Sequence, residues 1–480
     1  MKISGLYIIT DSNRDGRLEE RIEAALRGGA RIVQYRDKSA DLTEQERMAR
    51  RLAQLCREHR ALFLINDSPQ LAVAVGADGV HLGQQDMLLA EARKLLGPKK
   101  IIGISTRTVE QAVQAAKAGA DYIAVGSMFP TGSKDDAELV GPERLREIRK
   151  LTDLPLVAIG GIGRRNAAEV LAAGADSLAL ISAVMQDQNP GLAAREISLL
   201  FNRDQARPNG KILTIAGSDS GGGAGIQADL KVITLLGSYG TSAITALTAQ
   251  NSQGVSGIHP CPPDFVGQQI DAVLEDFGAD TIKTGMLFSA EIVQLVAQRL
   301  RKTSIPAVVD PVMIAKGGAA LLQTDAVEAM KKELMPATFL LTPNLPETEE
   351  LVGFPVGTTD DMERAATALQ QIGARHVLIK GGHLVDAADD LLLTEGNFTW
   401  LSSERIDTDQ THGTGCSYAA AIATLLAQGY TIEAAVSKAK FFINEAIRTA
   451  PGFGSGHGPI NHFESALKLL HTGRHFQPEN

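Results

Sequence analysis

Two separate sets of segments in this chain, most of them with glycine, have the residue types needed to hold phosphate groups. The first set comprises QYRDK at Gln34–Lys38, FPTGSK at Phe129–Lys134 and AIGGI at Ala158–Ile162. The second comprises AGSDSGGGAGIQAD at Ala216–Asp229 and THGTGC at Thr411–Cys416. Glycine-rich turns at strand ends or helix starts let backbone N–H groups approach phosphate oxygens closely. Two such sets predict two active sites, each for phosphorylated small molecules.

The polar residues of the first set alternate just past a predicted strand. Gln34, Arg36 and Lys38 are two positions apart, so all three side chains can face one side. Arginine grips two phosphate oxygens at once, and lysine adds a second cation, so this pattern suits a diphosphate. The plain alternative is a solvated strand end.

Oxygen ligands for a divalent cation follow the next two predicted strands. Asn66 and Asp67 end one strand, and Asp86 comes after the HLGQQ segment that ends the next. Two carboxylates and an amide at strand ends favour a Mg²⁺ site. A single Asp at such a place is more often a turn or helix cap.

Further phosphate-binding candidates follow the later strands of the first half. Ser105 comes after one strand, and Thr131, Ser133 and Lys134 come after the next. The last two loops contain Gly160–Gly161 and Ile181–Ser182, the usual phosphate position of a (β/α)8 barrel.

The Walker motif GxxxxGK[ST] does not occur in the second half, so a nucleotide site there must be formed by other residues. Thr411, Gly413 and Gly415 precede the apolar helix SYAAAIATLLAQ, where bare N–H groups favour a transferring phosphoryl group. Cys416 ends this loop, and a thiolate at a helix N-terminus can have a lowered pKa and accept a proton. A plain helix start and a small buried cysteine are the alternatives.

The elements that must position the first set alternate regularly along the chain. Amphipathic helical segments separate eight β-rich runs: Leu6–Thr10, Ile32–Tyr35, Leu62–Asn66, Gly79–Leu82, Ile101–Ile104, Tyr122–Val125, Leu156–Ile159 and Ser177–Ile181. AGAD or a near copy precedes three of these runs, where glycine ends a helix. This rhythm predicts a (β/α)8 TIM barrel, with a doubly wound open sheet as the alternative.

The second half alternates strands and helices again, after a polar segment. We predict a barrel domain at 1–202, a linker at 203–210 and a second domain at 211–480. The expected strands are Ile212–Ala216, Thr281–Thr284, Ala307–Val309, Phe339–Thr342 and Val377–Ile379, with a hairpin at Asp390–Glu395 and Asn397–Ser402. This pattern predicts an α/β sandwich.

Composition excludes several classes of protein. The 480 residues carry a net charge of −9 and only 4% aromatic residues, which argues against nucleic acid as a partner. Three cysteines without a CxxC pair argue against structural zinc and disulfides. No apolar run is long enough to span a bilayer, so we expect a cytoplasmic protein with no membrane partner.

The motifs of the first half resemble thiamine phosphate synthase over about residues 5 to 200. QYR-K, ND, HLGQ-D, G-S, P-T-x-x-K, GIGGI and IS occur in that family's order, here with Ser133 and Arg107 as departures. The resemblance implies that the pyrimidine diphosphate and its pyrophosphate contact Gln34, Arg36, Lys38, Asn66, Ser105 and Lys134. It also implies Mg²⁺ at Asp67 and Asp86, and thiazole phosphate at Thr131, Ser133, Gly161, Ile181 and Ser182.

The second half resembles the hydroxymethylpyrimidine and phosphomethylpyrimidine kinases of the ribokinase-like superfamily over about residues 211 to 465. The motifs that carry this resemblance are AGSDSGGGAGIQADLK, ITALTAQN, KTGML, DPVM, TPNLPE, IKGGH and THGTGC. The resemblance implies a pyrimidine pocket of Gly217, Asp229, Gln250 and Met286. It implies ATP and Mg²⁺ near Asp310, Asn344, Glu347, Lys380, Thr411, Gly413 and Gly415, and a catalytic Cys416 where ribokinases have Asp.

Together, the two resemblances imply a bifunctional enzyme of thiamine biosynthesis that uses ATP and Mg²⁺, with a homo-oligomer possible. The kinase product, hydroxymethylpyrimidine diphosphate, would be the first substrate of the synthase. One rival is a ligand sensor built on inactive enzyme scaffolds. Another is a vitamin B6-type kinase fused to a different barrel transferase.

Overall fold

The computed structural model describes residues 3–10, 16–130, 139–313, 324–382 and 388–472. The chain divides into two compact units, Met1–Phe201 and Asn202–Asn480. Within the described ranges, no helix is both long and apolar enough to cross a membrane.

The first unit is a closed barrel of eight parallel strands, which confirms the TIM barrel and excludes the open sheet. Its strands are β1 Gly5–Ile9, β2 Ile32–Tyr35, β3 Leu62–Asn66, β4 Gly79–Leu82, β5 Ile101–Thr106, β6 Tyr122–Gly126, β7 Leu156–Ile159 and β8 Ser177–Leu180. The helices are α1 Leu18–Arg27, α2 Leu42–Glu58, α3 Pro69–Val75, α4 Leu89–Leu96, α5 Val109–Lys117, α6 Gly141–Arg149, α7 Ala167–Ala172, α8 Ser182–Met185 and α9 Pro190–Leu199.

Alternate residues of each barrel strand divide between two cores. Tyr7 and Ile9 of β1 join an inner cluster with Ile32 and Leu64, while Leu6 and Ile8 pack in the outer cluster against the helices. The period of two therefore fixes which side chains enter the barrel. Polar residues on the inward register face the lumen near the strand ends.

The repeated AGAD segments have a structural role at the bottom of the barrel. The carboxylates of Asp78, Asp121 and Asp176 accept the backbone N–H of Phe63, Ile102 and Leu156 at 2.8, 2.7 and 2.9 Å. Each Asp therefore ties the start of its own strand to the start of the preceding strand. In the second unit, Asp280 accepts the Lys211 N–H at 2.9 Å in the same way.

We expect Asp176→Ala to destabilise the barrel by about 1–3 kcal/mol, because it leaves the buried Leu156 N–H without its acceptor. The substitution also removes the 2.8 Å ion pair with Arg149. Urea titration of synthase activity measures the change, and Asp153→Ala, at an exposed aspartate, is the matched control. Equal midpoints for the two variants would show that the Asp176 contact contributes nothing.

The second unit contains one nine-stranded sheet in the order β11-β10-β9-β12-β13-β14-β15-β16-β17. Its strands are β9 Lys211–Asp219, β10 Tyr239–Asn251, β11 Gly254–Pro260, β12 Thr281–Thr284, β13 Ala307–Val309, β14 Leu340–Leu341, β15 His376–Ile379, β16 Asp390–Thr394 and β17 Asn397–Leu401. Strands β9, β10 and β12–β15 are parallel, whereas β11, β16 and β17 pair antiparallel with their neighbours.

Helices cover both faces of this sheet, which confirms the α/β sandwich. They are α10 Gly225–Leu235, α11 Pro263–Asp276, α12 Ala290–Arg301, α13 Thr324–Ala329, α14 Leu345–Val352, α15 Thr359–Ile372, α16 Thr414–Ala427, α17 Ile432–Arg448 and α18 His462–Thr472. Thr214 contacts Asp229 of α10 and Thr281 contacts Ala423 of α16, while the alternate sheet residues pack against α11, α12 and α15. Helix α16 is buried almost all round, as its uniformly apolar sequence requires.

Strands β10 and β11 were not predicted from the sequence. The outer half of β10 and all of β11 are partly or fully exposed, so neither segment has the apolar run or clean alternation of a core strand. The segment 203–210, predicted as a linker, makes contacts with its own unit. The Arg203 guanidinium lies 3.4 Å from the centre of the Tyr430 ring, and the Asn209 amide donates to the Asn202 carbonyl at 2.7 Å.

Candidate active sites

The carboxyl ends of the barrel strands bring together several predicted pyrimidine-diphosphate residues. Gln34 is the penultimate residue of β2, Asn66 is the last residue of β3, and the Gln34 Nε2 donates to Asn66 Oδ1 at 2.6 Å. Arg36 and Lys38 follow β2, in a loop held by Thr10, whose hydroxyl oxygen accepts the Arg36 N–H at 2.8 Å. Ser105 lies near the end of β5. These groups share one rim of the barrel because parallel strands end at the same face.

The two predicted metal carboxylates face each other. Burial raises the pKa of Asp67 to about 6, together with the hydrogen bond and the negative charge of Asp86. The positive charge of Lys38 partly opposes this shift. Asp67 has a φ of 62°, and the Asp86 Oδ2 accepts the Gly83 N–H at 2.6 Å. The Lys38 Nζ lies 3.9 Å from Asp67 Oδ2. Two carboxylates that repel each other at a phosphate-binding rim make a fitting oxygen donor set for Mg²⁺.

No group of three or more His, Cys, Asp or Glu side chains that could hold a metal occurs among the described residues. Mg²⁺ keeps several waters and binds through one or two carboxylates plus substrate phosphates, so a pair suffices.

The loops after β7 and β8 form the other side of the rim. Gly161 has a φ of 65°, and a Cβ there would lie 2.6 Å from the Pro130 carbonyl oxygen, so glycine is required. Ile181 and Ser182 stand at the start of the short helix α8. This is the fold's usual phosphate position. The predictions for Thr131, Ser133 and Lys134 fall outside the described residues.

Three inward-facing polar side chains of the barrel were missed from the sequence. Tyr7, His81 and Tyr122 are buried inside the barrel, in hydrogen-bonding contact with the rim residues. The signal was available: His81 and Asn66 are register partners, and a histidine at an inward position of a short buried strand has to find a polar partner.

In the second unit, the two glycine loops that the sequence separates by almost two hundred positions meet directly. A Cβ at Gly413 would overlap the carbonyl oxygen of Gly223. The His412 Nε2 lies 2.9 Å from Asp219 Oδ2, and Asp219 also accepts the N–H groups of Gly221, Gly223 and Ala224. The loops therefore form a single site rather than two.

Cys416 lies in the first turn of α16, where backbone N–H groups lack helical partners. The Gly225 N–H of the other glycine loop is a hydrogen-bond donor to its sulfur. The expectation of a lowered pKa is wrong. Burial raises the pKa of Cys416 to about 11, and the nearby Lys283 ammonium only partly offsets that effect.

Asp229 does not line the pyrimidine pocket as expected. Its side chain is 0% exposed, and its Oδ2 accepts from Lys283 at 2.9 Å and from Thr214 at 2.6 Å. Burial disfavours the Lys283 ammonium, but Asp229 outweighs that effect and raises the pKa of Lys283. Asp229 therefore holds the lysine that faces Cys416. It faces the core because its helix α10 packs on β9.

The other predicted pyrimidine residues converge. A Cβ at Gly217 would overlap the terminal methyl of Met286, so the two are in contact. The Gln250 Nε2 lies 3.5 Å from the His412 Nε2, and the Thr248 hydroxyl donates to Gln250 Oε1 at 3.2 Å. Gln250 is thereby connected through His412 to the loop that contains Cys416.

The predicted ATP and Mg²⁺ residues form a compact charged cluster. Lys380 Nζ pairs with Asp310 Oδ1 at 2.8 Å, and a Cβ at Gly415 would lie 3.3 Å from that nitrogen. Asn344 and Glu347 exchange 2.8 Å hydrogen bonds as a capping box of α14. Burial raises the pKa of Glu347 to about 7, although Lys380 opposes the shift. The Thr411 carbonyl accepts the Thr414 hydroxyl at 2.8 Å, which closes the loop.

Comparison with known proteins assigns both units. The family profile described as phosphomethylpyrimidine kinase matches residues 219–461, and that described as thiamine monophosphate synthase matches residues 6–184. A thiamine biosynthesis bifunctional protein ThiED of Geobacter sulfurreducens is 52% identical over 97% of this chain and 95% of its own length. The chain belongs to the family of bifunctional thiamine-biosynthesis proteins.

Members of this family join a thiamine phosphate synthase domain to a hydroxymethylpyrimidine/phosphomethylpyrimidine kinase domain, and this chain has both. The kinase domain implies ATP as a co-substrate. A Bacillus subtilis hydroxymethylpyrimidine/phosphomethylpyrimidine kinase is 48% identical, covering 55% of this chain and 98% of that protein. The structure of a Bacillus subtilis pyridoxal kinase in complex with ADP superimposes with a TM-score of 0.51 at 38% identity, covering 54% of this chain and 99% of that one.

Proposed function

We propose that the kinase domain phosphorylates 4-amino-5-hydroxymethyl-2-methylpyrimidine and then its monophosphate with ATP. The barrel then couples the resulting diphosphate to thiazole phosphate, giving thiamine phosphate and pyrophosphate. The observation that carries the proposal is the meeting of both glycine loops at Cys416, beside the Asp310–Lys380 pair. One loop there provides phosphate-binding N–H groups, and the other lies next to Gln250.

In the kinase domain, the substrate hydroxyl attacks the γ-phosphorus, and the bond to the leaving ADP oxygen breaks. The first-turn N–H groups of α16, with Lys380 and Lys283 nearby, stabilise the charge of the transferring phosphoryl group. The thiolate form of Cys416 accepts the hydroxyl proton. Asp310 and Glu347 would hold Mg²⁺ together with the phosphates, and the cation would supply charge neutralisation.

In the barrel, the bond between the pyrimidine methylene carbon and the diphosphate oxygen breaks, and the thiazole nitrogen bonds to that carbon. Arg36, Lys38 and Ser105 bind the departing pyrophosphate, while Gln34 and Asn66 hold the pyrimidine. Asp67 and Asp86 would hold Mg²⁺, and the bound cation would neutralise the negative charge of the leaving pyrophosphate. No general base is required, because no proton is lost from the attacking nitrogen.

The decisive experiment supplies the purified full chain with the pyrimidine alcohol, ATP, Mg²⁺ and thiazole phosphate. We expect thiamine phosphate and pyrophosphate, identified by mass spectrometry. Omission of thiazole phosphate should leave the pyrimidine diphosphate to accumulate. If diphosphate forms but is never coupled, the proposal for the barrel is wrong; if supplied diphosphate is coupled but none is made, the proposal for the kinase is wrong.

A pyridine alcohol is the second candidate substrate of the kinase domain. The likeness to a pyridoxal kinase at 38% identity favours it. Pyridoxal and the aminopyrimidine differ in ring polarity, so Gln250 should discriminate between them. We infer that the pyrimidine has the higher kcat/KM, and direct competition between the two alcohols measures this.

The position of the cut between the domains is expected to determine the stability of the isolated kinase domain. A kinase fragment starting at Asn202 keeps the 3.0 Å bond from the Asn202 amide to the Ala427 carbonyl and the Arg203–Tyr430 contact, whereas one starting at Lys211 loses both. We expect both fragments to phosphorylate the pyrimidine and the shorter one to unfold at lower temperature, by a few degrees for about 1 kcal/mol. Equal melting temperatures would mean that segment 203–210 is a free linker.

A further inference from the structure

A continuous chain of hydrogen-bonding side chains crosses the interior of the barrel. Its five links measure 2.6, 2.7, 3.0, 2.9 and 2.8 Å and join, in order, Asn66, Gln34, Tyr7, Tyr122, His81 and Ser105. Its two ends are the residues that the proposed function places at the pyrimidine and at the pyrophosphate. The chain therefore connects the two ends of one substrate site beneath its floor.

The middle of this chain is sealed from solvent, while its ends are open. Tyr122 is 0%, Tyr7 1% and His81 8% exposed, whereas Asn66 and Ser105 are half-buried. The surrounding inner cluster is aliphatic, with Leu62 and Val157 among its members. A hydroxyl in such surroundings has no alternative partner in water, so breaking one link leaves a buried polar group unsatisfied.

With the Gln34 amide oriented as in the structure, its Nε2 on Asn66 and its Oε1 on Tyr7, one pattern of donors satisfies all five links. Tyr7 donates its hydrogen to Gln34 Oε1, so the Tyr7 oxygen accepts from Tyr122. The Tyr122 hydrogen is then committed, so its oxygen accepts from the Nδ1–H of His81. A neutral His81 ring leaves Nε2 as an acceptor, and the Ser105 hydroxyl donates to it. In this pattern the donor at each link determines the donor at the next, so the orientation of the Gln34 amide and that of the Ser105 hydroxyl depend on each other.

The fold makes room for this chain at one residue. A Cβ at Gly103 would overlap the Tyr122 ring next to its hydroxyl. Gly103 is the register partner of both His81 and Tyr122, and the His81 and Tyr122 rings stack with their centroids 5.6 Å apart. The glycine thus lets a tyrosine from β6 reach across β5 to the histidine of β4.

We propose that Tyr122 and His81 are positioning residues of the synthase, which couple the orientation of Gln34 at the pyrimidine to that of Ser105 at the pyrophosphate. This inference rests on the proposed roles of Gln34 and Ser105. Loss of a middle link frees the Gln34 amide and the Ser105 hydroxyl to rotate, so both ends lose preorganisation together. The thiazole phosphate residues Gly161 and Ser182 are not part of the chain and should be unaffected.

The test uses the full chain supplied with pyrimidine diphosphate and thiazole phosphate. Tyr122→Phe should raise the KM for the diphosphate and lower kcat, each by about 5–10-fold, because it removes both hydrogen bonds of the Tyr122 hydroxyl. The KM for thiazole phosphate should stay within about twofold. Tyr35→Phe is the matched control, because Tyr35 is also buried but lies in the outer cluster. Loss of the Tyr35 hydroxyl should change neither kcat nor the KM for the diphosphate.

Two additional variant sets separate positioning from simple stability. The fold-loss of kcat/KM caused by Ser105→Ala should be at least about threefold smaller in the Tyr122→Phe background than in the wild type, because the effects of coupled residues are non-additive. His81→Asn can replace only the Nδ1 link and His81→Gln only the Nε2 link, so each should retain more activity than His81→Ala.

Additive losses for Tyr122→Phe and Ser105→Ala would overturn the coupling. A lowered melting temperature of Tyr122→Phe with unchanged kinetic constants would also overturn it, because the tyrosine would then act only in folding. Should Gln34→Ala and Ser105→Ala themselves leave synthase kinetics unchanged, the proposed site roles fail instead. The outcomes for the two proposals are therefore distinguishable.

Discussion

Replacement of Cys416 by alanine is expected to lower the rate of pyrimidine phosphorylation by about 10²–10⁴-fold, the usual contribution of a general base. Alanine keeps the small volume but cannot accept the hydroxyl proton. Synthase activity on supplied diphosphate should be unchanged, because it resides in the other domain. Cys261→Ala, at the other half-buried cysteine of this unit, is the control and should retain full kinase activity. A loss under about tenfold would assign most of the catalysis to the backbone N–H groups of the loop.

Cys416→Asp tests proton transfer itself. Aspartate is the residue that ribokinases have at this position, and it should retain more activity than alanine. Since the pKa of Cys416 is raised to about 11, its reactive thiolate is a minor species at neutral pH and grows about tenfold per pH unit below that value. The wild-type rate should therefore rise with pH through 7 to 10.

The pH dependence of the aspartate variant should be flatter, because an aspartate is already ionised in that range. Parallel pH profiles for the wild type and Cys416→Asp would remove the thiolate from the mechanism. Equal rates of the alanine and aspartate variants, both near wild type, would reduce Cys416 to a packing residue. The measurement is initial-rate phosphorylation at saturating ATP in both proteins.

Asp86→Asn is expected to lower the coupling rate of the synthase by at least about 100-fold at limiting Mg²⁺. Asparagine has almost the same shape but removes one of the two facing negative charges. Kinase activity of the same molecule is the internal control and should be unchanged. Calorimetric titration with Mg²⁺ in the presence of pyrophosphate provides a second readout, and the variant should bind the cation more weakly.

The matched control for this variant is Asp153→Asn, at an exposed aspartate of the same domain. It changes the net charge equally but should leave both Mg²⁺ affinity and coupling at wild-type values. Unchanged coupling by Asp86→Asn at low Mg²⁺ would remove Asp86 from the site. Equal losses in the two aspartate variants would indicate a general charge effect instead.

The sequence by itself determined the barrel strands almost to the residue. Leu62–Asn66, Gly79–Leu82 and Leu156–Ile159 were predicted with the bounds that the structure has. Short buried parallel strands are mostly apolar and end at or just before glycine or polar residues, so their signal is local. The motifs at their carboxyl ends were equally readable, and they identified both enzyme families, which the relatives confirm.

Tertiary structure decided what depends on neighbours that are distant in the chain. The closure of the barrel rests on the pairing of β1 with β8, which no local pattern encodes. The exposed β10–β11 ribbon was missed because half of it has no buried face.

The electrostatics of the kinase site also had to come from the fold. A helix start and a glycine loop predicted a reactive thiolate at Cys416, but burial disfavours its charge more than Lys283 and the Gly225 N–H favour it. The sequence likewise gave no sign that Asp229 faces inward to Lys283. Residue types and spacing thus determined which chemistry this chain performs, because phosphate-binding loops are local. Burial and pairing determined the state of each group, because desolvation and charge depend on everything packed around it.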